Sequence, residues 1–347
     1  MKKSFRTWIS EKIARTMLYI KATTYKKLTD EPYKWACGML MRIYNDNRMM
    51  LANYMHRKRI TSGFAFLLKE KEIDPDYIIG TSSSGIAPAA SLAEYLGKEL
   101  LINHNDEYYS FPKDLCLEQD IKKSADIIIS TCPLAIPYGV QYANKLQIGF
   151  AYVRPQKKDH GKEQAVEGII KPGMKFFFVY NDKTLEEIDE ITNKLQEEFK
   201  IKLLGSMRLK YLHIQMIPAQ LKGKKAVVIE DLFSTGGSSA SEVFMAREAG
   251  MICNHCFSIF SYGFDYLKKQ FSGETNIGNK EVKLSEPCDI DSLLEFPILL
   301  EIIKEGKFYP PEIIEAMRKE IGCFDKEFKS FLDDKERVLK NNISLVK

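Results

Sequence analysis

The chain has 347 residues, of which 45% are hydrophobic and 28% charged, a composition typical of a globular protein with about two domains. With 51 Lys and Arg against 47 Asp and Glu, the net charge of +4 is too small to indicate a nucleic-acid-binding protein. No apolar run approaches the ~20 residues of a membrane span, and the seven scattered Cys predict reduced thiols, as in a cytoplasmic protein. We therefore expect neither a nucleic acid nor a membrane as partner.

Apolar, β-like runs alternate along the chain with amphipathic helical stretches. The predicted strands cover 77–79, 127–129, 149–153, 176–180, 226–229 and 253–260. Strands separated by helices are typical of a parallel sheet, so the predicted fold class is α/β. Helical regions over 6–30 and 291–340 are predicted to flank the sheet. The basic residues of the first region are interpreted as a solvated helix face rather than as an RNA or membrane surface.

Two cysteines have the spacing of metal ligands. Cys253 and Cys256 form a CxxC pair, but no second pair of ligands in the sequence completes a zinc site. Both fall on alternating sides of the predicted strand over 253–260. We therefore interpret them as buried thiols and expect no metal there.

The segment Val227–Ser239 carries the strongest chemical signal. Its apolar strand delivers Glu230 and Asp231 at the carboxyl end, where open α/β sheets bind ligands. The loop over 234–238 has no bulky side chain, so its backbone N–H groups and hydroxyls can wrap a phosphate at the start of the next helix. Carboxylates beside a phosphate cradle suit a ribose phosphate. A simple helix-capping turn is the structural alternative, but it requires neither the acidic pair nor two glycines.

This segment resembles the phosphoribosyl pyrophosphate (PRPP) binding motif of type I phosphoribosyltransferases. Gly80–Pro88 is similar to the pyrophosphate loop of that family. Residues 152–168, which include Arg154, Lys158 and His160, resemble the mobile catalytic loop of its orotate branch. A solvated basic turn is the alternative interpretation of 157–162.

The resemblance extends over about 10–105, 126–180 and 220–325. Pro32–Arg48 resembles the hood that covers the base, and Ser261–Phe264 resembles the strand end after the phosphate helix. The sequence departs from the family at 40–42, where Leu-Met-Arg stands in place of a common Lys-Ser-Pro, and at Pro155, where a basic residue is common.

The resemblance implies a parallel-sheet phosphoribosyltransferase fold with a helical N- and C-terminal hood. It also implies Mg²⁺-dependent formation of orotidine 5'-phosphate and pyrophosphate from orotate and PRPP. The implied catalytic residues are Asp231, Glu230, Lys158 and His160. The implied PRPP-binding residues are Arg154, Lys158, His160, Glu230, Asp231, Leu232, Phe233, Ser234, Thr235, Gly236, Gly237, Ser238, Thr81, Ser82, Ser83, Ser84 and Gly85. Those implied for orotate are Ser234, Tyr44 and Tyr262, and Glu230 and Asp231 are expected to meet the metal indirectly, through PRPP.

Two pairs of segments repeat at a spacing of 50 residues. Asp76 and Asp126 begin the first pair, and Gly173 and Gly223 hold the same position in the second. The downstream copy of the first pair lacks the loop glycine. The upstream copy of the second has Tyr180-Asn181 and a run of acids over 186–190, which would repel a phosphate.

This order predicts that one degenerate phosphoribosyltransferase-like domain, 108–201, is inserted in an active domain made of 1–107 and 202–347. The hood is assigned to 1–50 and the C-terminal helices to 288–347. The insert would carry the catalytic loop, and Arg208–His213 would be a decayed second loop, which makes the chain an intrachain pseudo-dimer. Generic βα units remain the alternative explanation of the repeat.

Three further alternatives stay open at this stage. The altered hood is compatible with another base. A non-catalytic PRPP-binding regulator is compatible with the phosphate motif, although it would have no leaving group for a basic loop to stabilise. A homodimer is compatible with a pseudo-dimeric chain.

Overall fold

The computed structural model describes residues 4–111, 124–154, 166–181, 185–209, 214–278 and 280–344, with side chains as far as 334. The helices are α1 (Phe5–Tyr19), α2 (Tyr54–Glu70), α3 (Ile86–Leu96), α4 (Ile136–Leu146), α5 (Leu185–Phe199), α6 (Pro218–Leu221), α7 (Gly237–Glu248), α8 (Asp265–Phe271), α9 (Phe296–Glu305) and α10 (Pro311–Ser344), with a 3₁₀ helix over Asn47–Ala52. The strands are β1 (Thr23–Tyr25), β2 (Tyr33–Lys34), β3 (Leu40–Met41), β4 (Ile43–Asn45), β5 (Tyr77–Gly80), β6 (Glu99–His104), β7 (Glu107–Phe111), β8 (Ile127–Thr131), β9 (Gly149–Val153), β10 (Val166–Glu167), β11 (Lys175–Tyr180), β12 (Lys202–Arg208), β13 (Ile214–Met216), β14 (Lys225–Phe233), β15 (Ile252–Ser261) and β16 (Asp289–Glu295).

The larger sheet has seven strands in the order β13-β7-β6-β5-β14-β15-β16. Five neighbouring strands of this sheet run parallel to one another, namely β6, β5, β14, β15 and β16. Strands β7 and β13 add an antiparallel edge. Successive residues of a strand face opposite sides, so Ile78 packs in one hydrophobic cluster with α1–α3 and Ile79 in another with α7. Helices on both faces of a largely parallel sheet confirm the predicted α/β class.

A second sheet of five strands, in the order β10-β9-β8-β11-β12, is formed by the chain between β7 and β13. We call this stretch, 112–213, the inserted segment. The predicted boundaries of 108 and 201 are wrong at both ends. Tyr108 lies in β7 and pairs with Asn103 in the larger sheet, whereas Arg208 ends β12 and pairs with Tyr180 in the smaller one. Of the predicted decayed loop, 210–213 lie outside the described residues.

Strand pairing repeats in the two sheets at the same 50-residue spacing as the motifs. Ile127 pairs with Gly149 just as Tyr77 pairs with Glu99. The pairing of β11 with β12 in the smaller sheet and of β14 with β15 in the larger sheet is interrupted by an irregularity at the same point. Pairing resumes at Phe177 with Gly205 in the smaller sheet and at Val227 with His255 in the larger one. The repeat therefore extends from the motifs to the register of four strands.

The two sheets meet through the equivalent helices α3 and α4. Nδ2 of Asn144 donates to Oε2 of Glu94 at 3.1 Å and to Oγ of Ser91 at 3.0 Å. Glu94 and Asn144 are themselves 50 residues apart. Contact between equivalent residues is what a two-fold interface produces near its axis.

The predicted terminal helices are partly wrong. The first ends at Tyr19, and β1 then pairs with β4 at the position predicted to be helical, because Thr23 and Thr24 are β-branched and favour a strand. At the other end, β16 covers Asp289–Glu295 beside β15 before α9 begins. No helix of the described residues is long and apolar enough to cross a membrane. Cys253 and Cys256 are buried on β15, and burial raises the pKa of both thiols.

Arg57 of α2 fastens the inserted segment to the larger sheet. Its guanidinium is buried and donates to the carbonyl of Leu51, to Oδ1 of Asn144 at 2.8 Å and to the carbonyl of Ile148 at 2.7 Å. Burial lowers the pKa of Arg57 to about 10.

We predict that Arg57→Met lowers the free energy of unfolding by at least about 2 kcal/mol, because it leaves one buried and two partly buried acceptors without their donor. Chemical denaturation of the purified variant measures this loss. Lys58→Met, at the exposed neighbouring position, is the matched control and should change the stability by about 0.5 kcal/mol or less. Equal effects of the two substitutions would contradict the role of Arg57.

Candidate active site

The predicted site residues meet at the edge of the larger sheet where β5 and β14 end. A cavity of about 640 Å³ lies there and adjoins a second cavity of about 450 Å³. Parallel strands present their carboxyl ends at this edge, which is where open α/β sheets bind ligands. The larger cavity is lined by Lys34, Trp35, Ala36, Tyr44, Asn45, Arg48, Ser82, Ser83, Ser84, Cys132, Arg154, Glu230, Asp231, Leu232, Ser234, Ser238 and Tyr262.

The acidic pair at the end of β14 consists of one buried and one partly exposed carboxylate. Oε2 of Glu230 accepts from the hydroxyl of Ser239 at 2.9 Å, and its Oε1 accepts from the backbone N–H of Asp231 at 2.8 Å. Burial and, after it, the charge of Asp231 raise the pKa of Glu230. Asp231 is the more exposed acid of the pair, and both acids line the larger cavity.

The loop over 234–238, here called the phosphate loop, leads into the N-terminus of α7. Gly236 has a φ of 83°, and a Cβ at this position would lie 2.4 Å from Leu267, so a side chain is excluded twice over. The buried side chain of Gln270 donates to the carbonyl of Thr235 and accepts from the N–H of Gly278 at 2.9 Å. Gln270 thus fixes the loop, and the first residues of α7 line the second cavity, where the free N–H groups of a helix N-terminus can bind an anion.

The loop over 81–85 lies against the end of β14. A Cβ on Gly85 would approach Oγ1 of Thr81 to 2.2 Å and the carbonyl of Ile229 to 2.3 Å, so only glycine permits this packing. The buried Thr81 donates to the same carbonyl at 3.3 Å. Ser82, Ser83 and Ser84 are left facing the larger cavity.

The inserted segment also contributes to this cavity. Cys132 lines it, and so does Arg154 at the end of β9. Cys132 stands 50 residues after Ser82, which lines the same cavity. Equivalent positions of the two copies of the first repeat therefore line one cavity.

A buried ionic network forms one wall of the larger cavity. Nε of Arg48 lies 2.7 Å from Oδ1 of Asp46, and its Nη1 lies 2.6 Å from Oε1 of Glu167. Nε of Arg154 lies 2.6 Å from the same Glu167 oxygen. Burial opposes the charge of Arg48, but Asp46 and Glu167 more than offset it, so the pKa of its guanidinium is raised.

Aromatic side chains also line the larger cavity, and Tyr44 among them accepts from Nη2 of Arg48 at 3.2 Å. The rings of Trp35 and Tyr262 are 4.7 Å apart, and Nε1 of Trp35 donates to the carbonyl of Ile43 at 3.0 Å. Burial raises the pKa of Tyr44 to about 12, so its hydroxyl stays protonated and available as a donor. Such a lining suits a planar, partly polar ligand.

Most of the predicted residues come together, but some do not reach the cavities. The buried side chain of Phe233 packs against Phe271, with ring centres 5.8 Å apart, and Phe233 lines neither cavity. Thr81 and Gly85 pack against the carbonyl of Ile229 and line neither cavity. Lys158 and His160 lie outside the described residues. The predicted residues that line the cavities are Tyr44, Ser82, Ser83, Ser84, Arg154, Glu230, Asp231, Leu232, Ser234, Thr235, Gly236, Gly237, Ser238 and Tyr262.

Sequence reasoning missed several residues of the site. Lys34, Arg48 and Cys132 line the cavity, and Glu167 supports it. The repeat itself could have identified Cys132, which aligns with Ser82. Nothing in the sequence could show that Glu167 pairs with Arg48, because 119 residues separate them.

The donor set fits a magnesium ion that arrives with its substrate. Among the described residues no group of three or more His, Cys, Asp or Glu could hold a metal ion without further ligands. Mg²⁺ prefers oxygen ligands and is commonly held by one or two carboxylates together with substrate phosphates. Asp231 offers such a carboxylate at the cavity, so the residues fit a metal shared with a diphosphate.

Comparison with known proteins gives a consistent result. No family model matches the chain. The chain is 25% identical to orotate phosphoribosyltransferase of Lactococcus lactis subsp. cremoris over 311 residues, which cover 90% of this chain and 94% of the relative. It is also 25% identical to orotate phosphoribosyltransferase of Streptococcus sanguinis over 287 residues, 83% of this chain and 87% of the relative. These relatives confirm the predicted resemblance and the interpretation of the chain as a pentosyltransferase enzyme.

Among solved structures, the chain is similar to UMP synthase of Leishmania donovani, with a TM-score of 0.45 and 12% identity. The match covers 92% of this chain and 42% of that one.

Glu230→Gln should alter the pH dependence of stability. The pKa of Glu230 is raised in the folded state, so ionising this carboxyl costs more in the folded than in the unfolded chain. The wild type therefore loses stability as the pH rises from the unfolded pKa through the folded one. The variant lacks this loss. We predict that the difference in thermal midpoint, variant minus wild type, becomes more positive from pH 5 to pH 9, as measured by calorimetry.

Glu248→Gln, at an exposed position of α7, is the matched control and should give a difference that stays constant over this range. A constant difference for Glu230→Gln as well would show that Glu230 is already ionised at pH 5.

Proposed function

We propose that the chain is an orotate phosphoribosyltransferase, which forms orotidine 5'-phosphate and pyrophosphate from orotate and PRPP in de novo pyrimidine synthesis. One observation carries the proposal. The acidic pair, the phosphate loop and the serine loop over 82–84 border two adjoining cavities at one sheet edge. The sequence relatives support orotate as the base.

The 5'-phosphate of PRPP would bind in the phosphate loop. The N–H groups at the start of α7 and the hydroxyls of Ser234 and Ser238 supply donors there, and the helix dipole favours the dianion. Because Gln270 fixes the carbonyl of Thr235 from beneath, these donors are in place before the ligand arrives.

The ribose would lie over the acidic pair. Asp231 would accept hydrogen bonds from the ribose hydroxyls and stabilise the positive charge that develops at the ribosyl carbon. Glu230 holds the backbone of Asp231 through its N–H, and Ser239 fixes Glu230 in turn. In this arrangement Asp231 would bind the substrate, whereas Glu230 would hold the backbone of the site in place.

The pyrophosphate leaving group would lie between the serine loop and the inserted segment. Ser82, Ser83 and Ser84 offer hydroxyl donors on one side, and Arg154 and Arg48 offer cations on the other. Lys158 and His160 follow Arg154 in the chain and would join them. When bound with PRPP, Mg²⁺ neutralises part of the diphosphate charge. Orotate would enter beside Tyr44 and Tyr262, near Ser234.

We also propose that the chain is a pseudo-dimer with one working site. The repeated register and the approximate two-fold contact of α3 with α4 support a second phosphoribosyltransferase-like copy in the inserted segment. That copy has Asn181 in place of Asp231 and an acidic first turn in α5, with Glu186 and Glu187. Its contribution would be the cations that it lends to the other copy.

The choice of base is tested by incubating the protein with PRPP, Mg²⁺ and one free base at a time. We expect pyrophosphate release to be fastest with orotate. A preference for hypoxanthine, adenine or uracil would overturn the orotate assignment and leave a phosphoribosyltransferase of another base. Binding of PRPP without release for any base would indicate a regulator.

The single working site is tested by a pair of variants at equivalent positions. Asp231→Asn should lower turnover by at least ~10²-fold, because a preorganised charge is lost from the transition state. Asn181→Ala should leave turnover within about twofold. Titration of the wild type with PRPP should give one site per chain. Two sites, or a large loss in Asn181→Ala, would show that the inserted copy binds PRPP itself.

A further inference from the structure

We infer that Glu167 is a positioning residue, which aims the guanidinium of Arg154 from the inserted segment at the diphosphate side of the cavity. This inference rests on the proposed function, because it concerns the same site. Glu167 touches neither cavity and was not among the predicted site residues.

Glu167 is placed where it can restrain two cations at once. Its side chain is 3% exposed, and its Oε1 lies 2.6 Å from both Nη1 of Arg48 and Nε of Arg154. The two arginines come from different parts of the molecule. Arg48 belongs to the 3₁₀ helix of the hood, and Arg154 follows β9 of the inserted segment. A single buried carboxylate oxygen therefore ties the hood to the inserted segment at the rim of the cavity.

The geometry of the pair leaves Arg154 able to bind a ligand. The contact is ionic: Oε1 of Glu167 lies 2.6 Å from Nε of Arg154, but the Nε–H bond is not aligned with this oxygen as a hydrogen bond. A buried charge pair of this kind holds the guanidinium close to Glu167 without taking up its hydrogen-bond donors, and guanidinium groups match phosphate oxygens well. Arg154 lines the cavity beside Ser82 and Asp231, which is where those donors are needed.

The backbone reinforces the same arrangement. Val166 pairs with Val153, and Glu167 pairs with Tyr152, in the antiparallel ladder of β10 with β9. Arg154 and Glu167 thus flank the stretch that contains Lys158 and His160. Because the ladder holds Glu167 and ends at Val153, directly before Arg154, the backbone positions of the ion pair are largely set before it forms and little freedom is lost.

Charge makes the expected effect distinctive. Glu167→Gln removes one negative charge beside two cations, which by attraction alone would strengthen the binding of an anion. If the guanidinium of Arg154 is no longer held in position, stabilisation is lost mainly in the transition state, because that is where negative charge builds on the leaving group. We therefore expect kcat to fall at least tenfold while KM for PRPP stays equal or decreases. A general loss of structure would instead raise KM and lower the thermal midpoint together.

The decisive experiment is a double-mutant cycle with Arg154→Ala. Glu167→Gln should lower kcat at least tenfold in the wild-type background but less than twofold when Arg154 is already alanine. Equal factors in the two backgrounds would overturn the inference, and so would a wild-type kcat in Glu167→Gln.

Asp46→Asn is the matched control, because it removes an equally buried carboxylate from Arg48 without touching Arg154. Its effect should be the same in both backgrounds. A coupling of Asp46 to Arg154 as large as that of Glu167 would show that the whole network, and not Glu167, sets the position of Arg154.

The cycle is repeated with the Kd of magnesium pyrophosphate, measured by calorimetry, so that it does not depend on the base. Glu167→Gln should change this Kd at least fivefold in the wild-type background and less than twofold in Arg154→Ala. Coupling in Kd without turnover of orotate would sustain the role of Glu167 and reject the proposed function. Turnover of orotate without coupling in either measurement would do the reverse.

Discussion

The packing of α3 against α4 is the contact on which the proposed site depends. It joins Asn144 to Glu94 and Ser91, and Arg57 adds its own bonds to Asn144 and Ile148. These bonds fix how the smaller sheet is rotated relative to the larger one. That rotation carries the ends of β8 and β9 to the cavity at β14, so Cys132 and Arg154 lie opposite the acidic pair. A different angle between the helices would leave the acids without the cations that a diphosphate needs.

Sequence alone predicted the elements whose signals are local. The strand before Glu230, the glycine turn after it and the serine loop after β5 each follow from neighbouring residues, and the structure brings them to one edge. The predicted helix over 6–30 failed after Tyr19, because pairing of Thr23–Tyr25 with β4 is a tertiary contact that the helical pattern does not encode. The insert boundaries failed for the same reason, since the edge pairing of β7 with β6 decides where the larger sheet ends.

The buried ionic network could not be predicted from the sequence, because most of its charged residues are distant in the chain and burying any one of them alone would be costly. A buried arginine is tolerated when carboxylates and hydrogen bonds replace its water, and Arg48 has Asp46, Glu167 and the hydroxyl of Tyr44. Only Asp46 is near it in sequence. The carboxylates of β14 lie beside each other rather than beside cations. Burial and a like charge raise the pKa of Glu230, so this group serves the fold through hydrogen bonds while Asp231 keeps its exposure to the ligand.

The proposed pseudo-dimer would also account for the pattern of loss in each copy. Two separate identical subunits that exchanged basic loops would each have to keep every part of the site, because each would both lend a loop and receive one. Within one chain, a copy needs only the part that it lends or the part that it receives. The larger sheet has Asp231 and Gly236, which would hold the sugar phosphate in the proposed function, and the inserted segment has Arg154. Glu167 lies where the inserted segment meets the 3₁₀ helix that carries Arg48. Without its carboxylate, Arg48 would keep Asp46 as a partner, but Arg154 would lose the buried countercharge that lies 2.6 Å from its Nε, and burying that charge would then be costly.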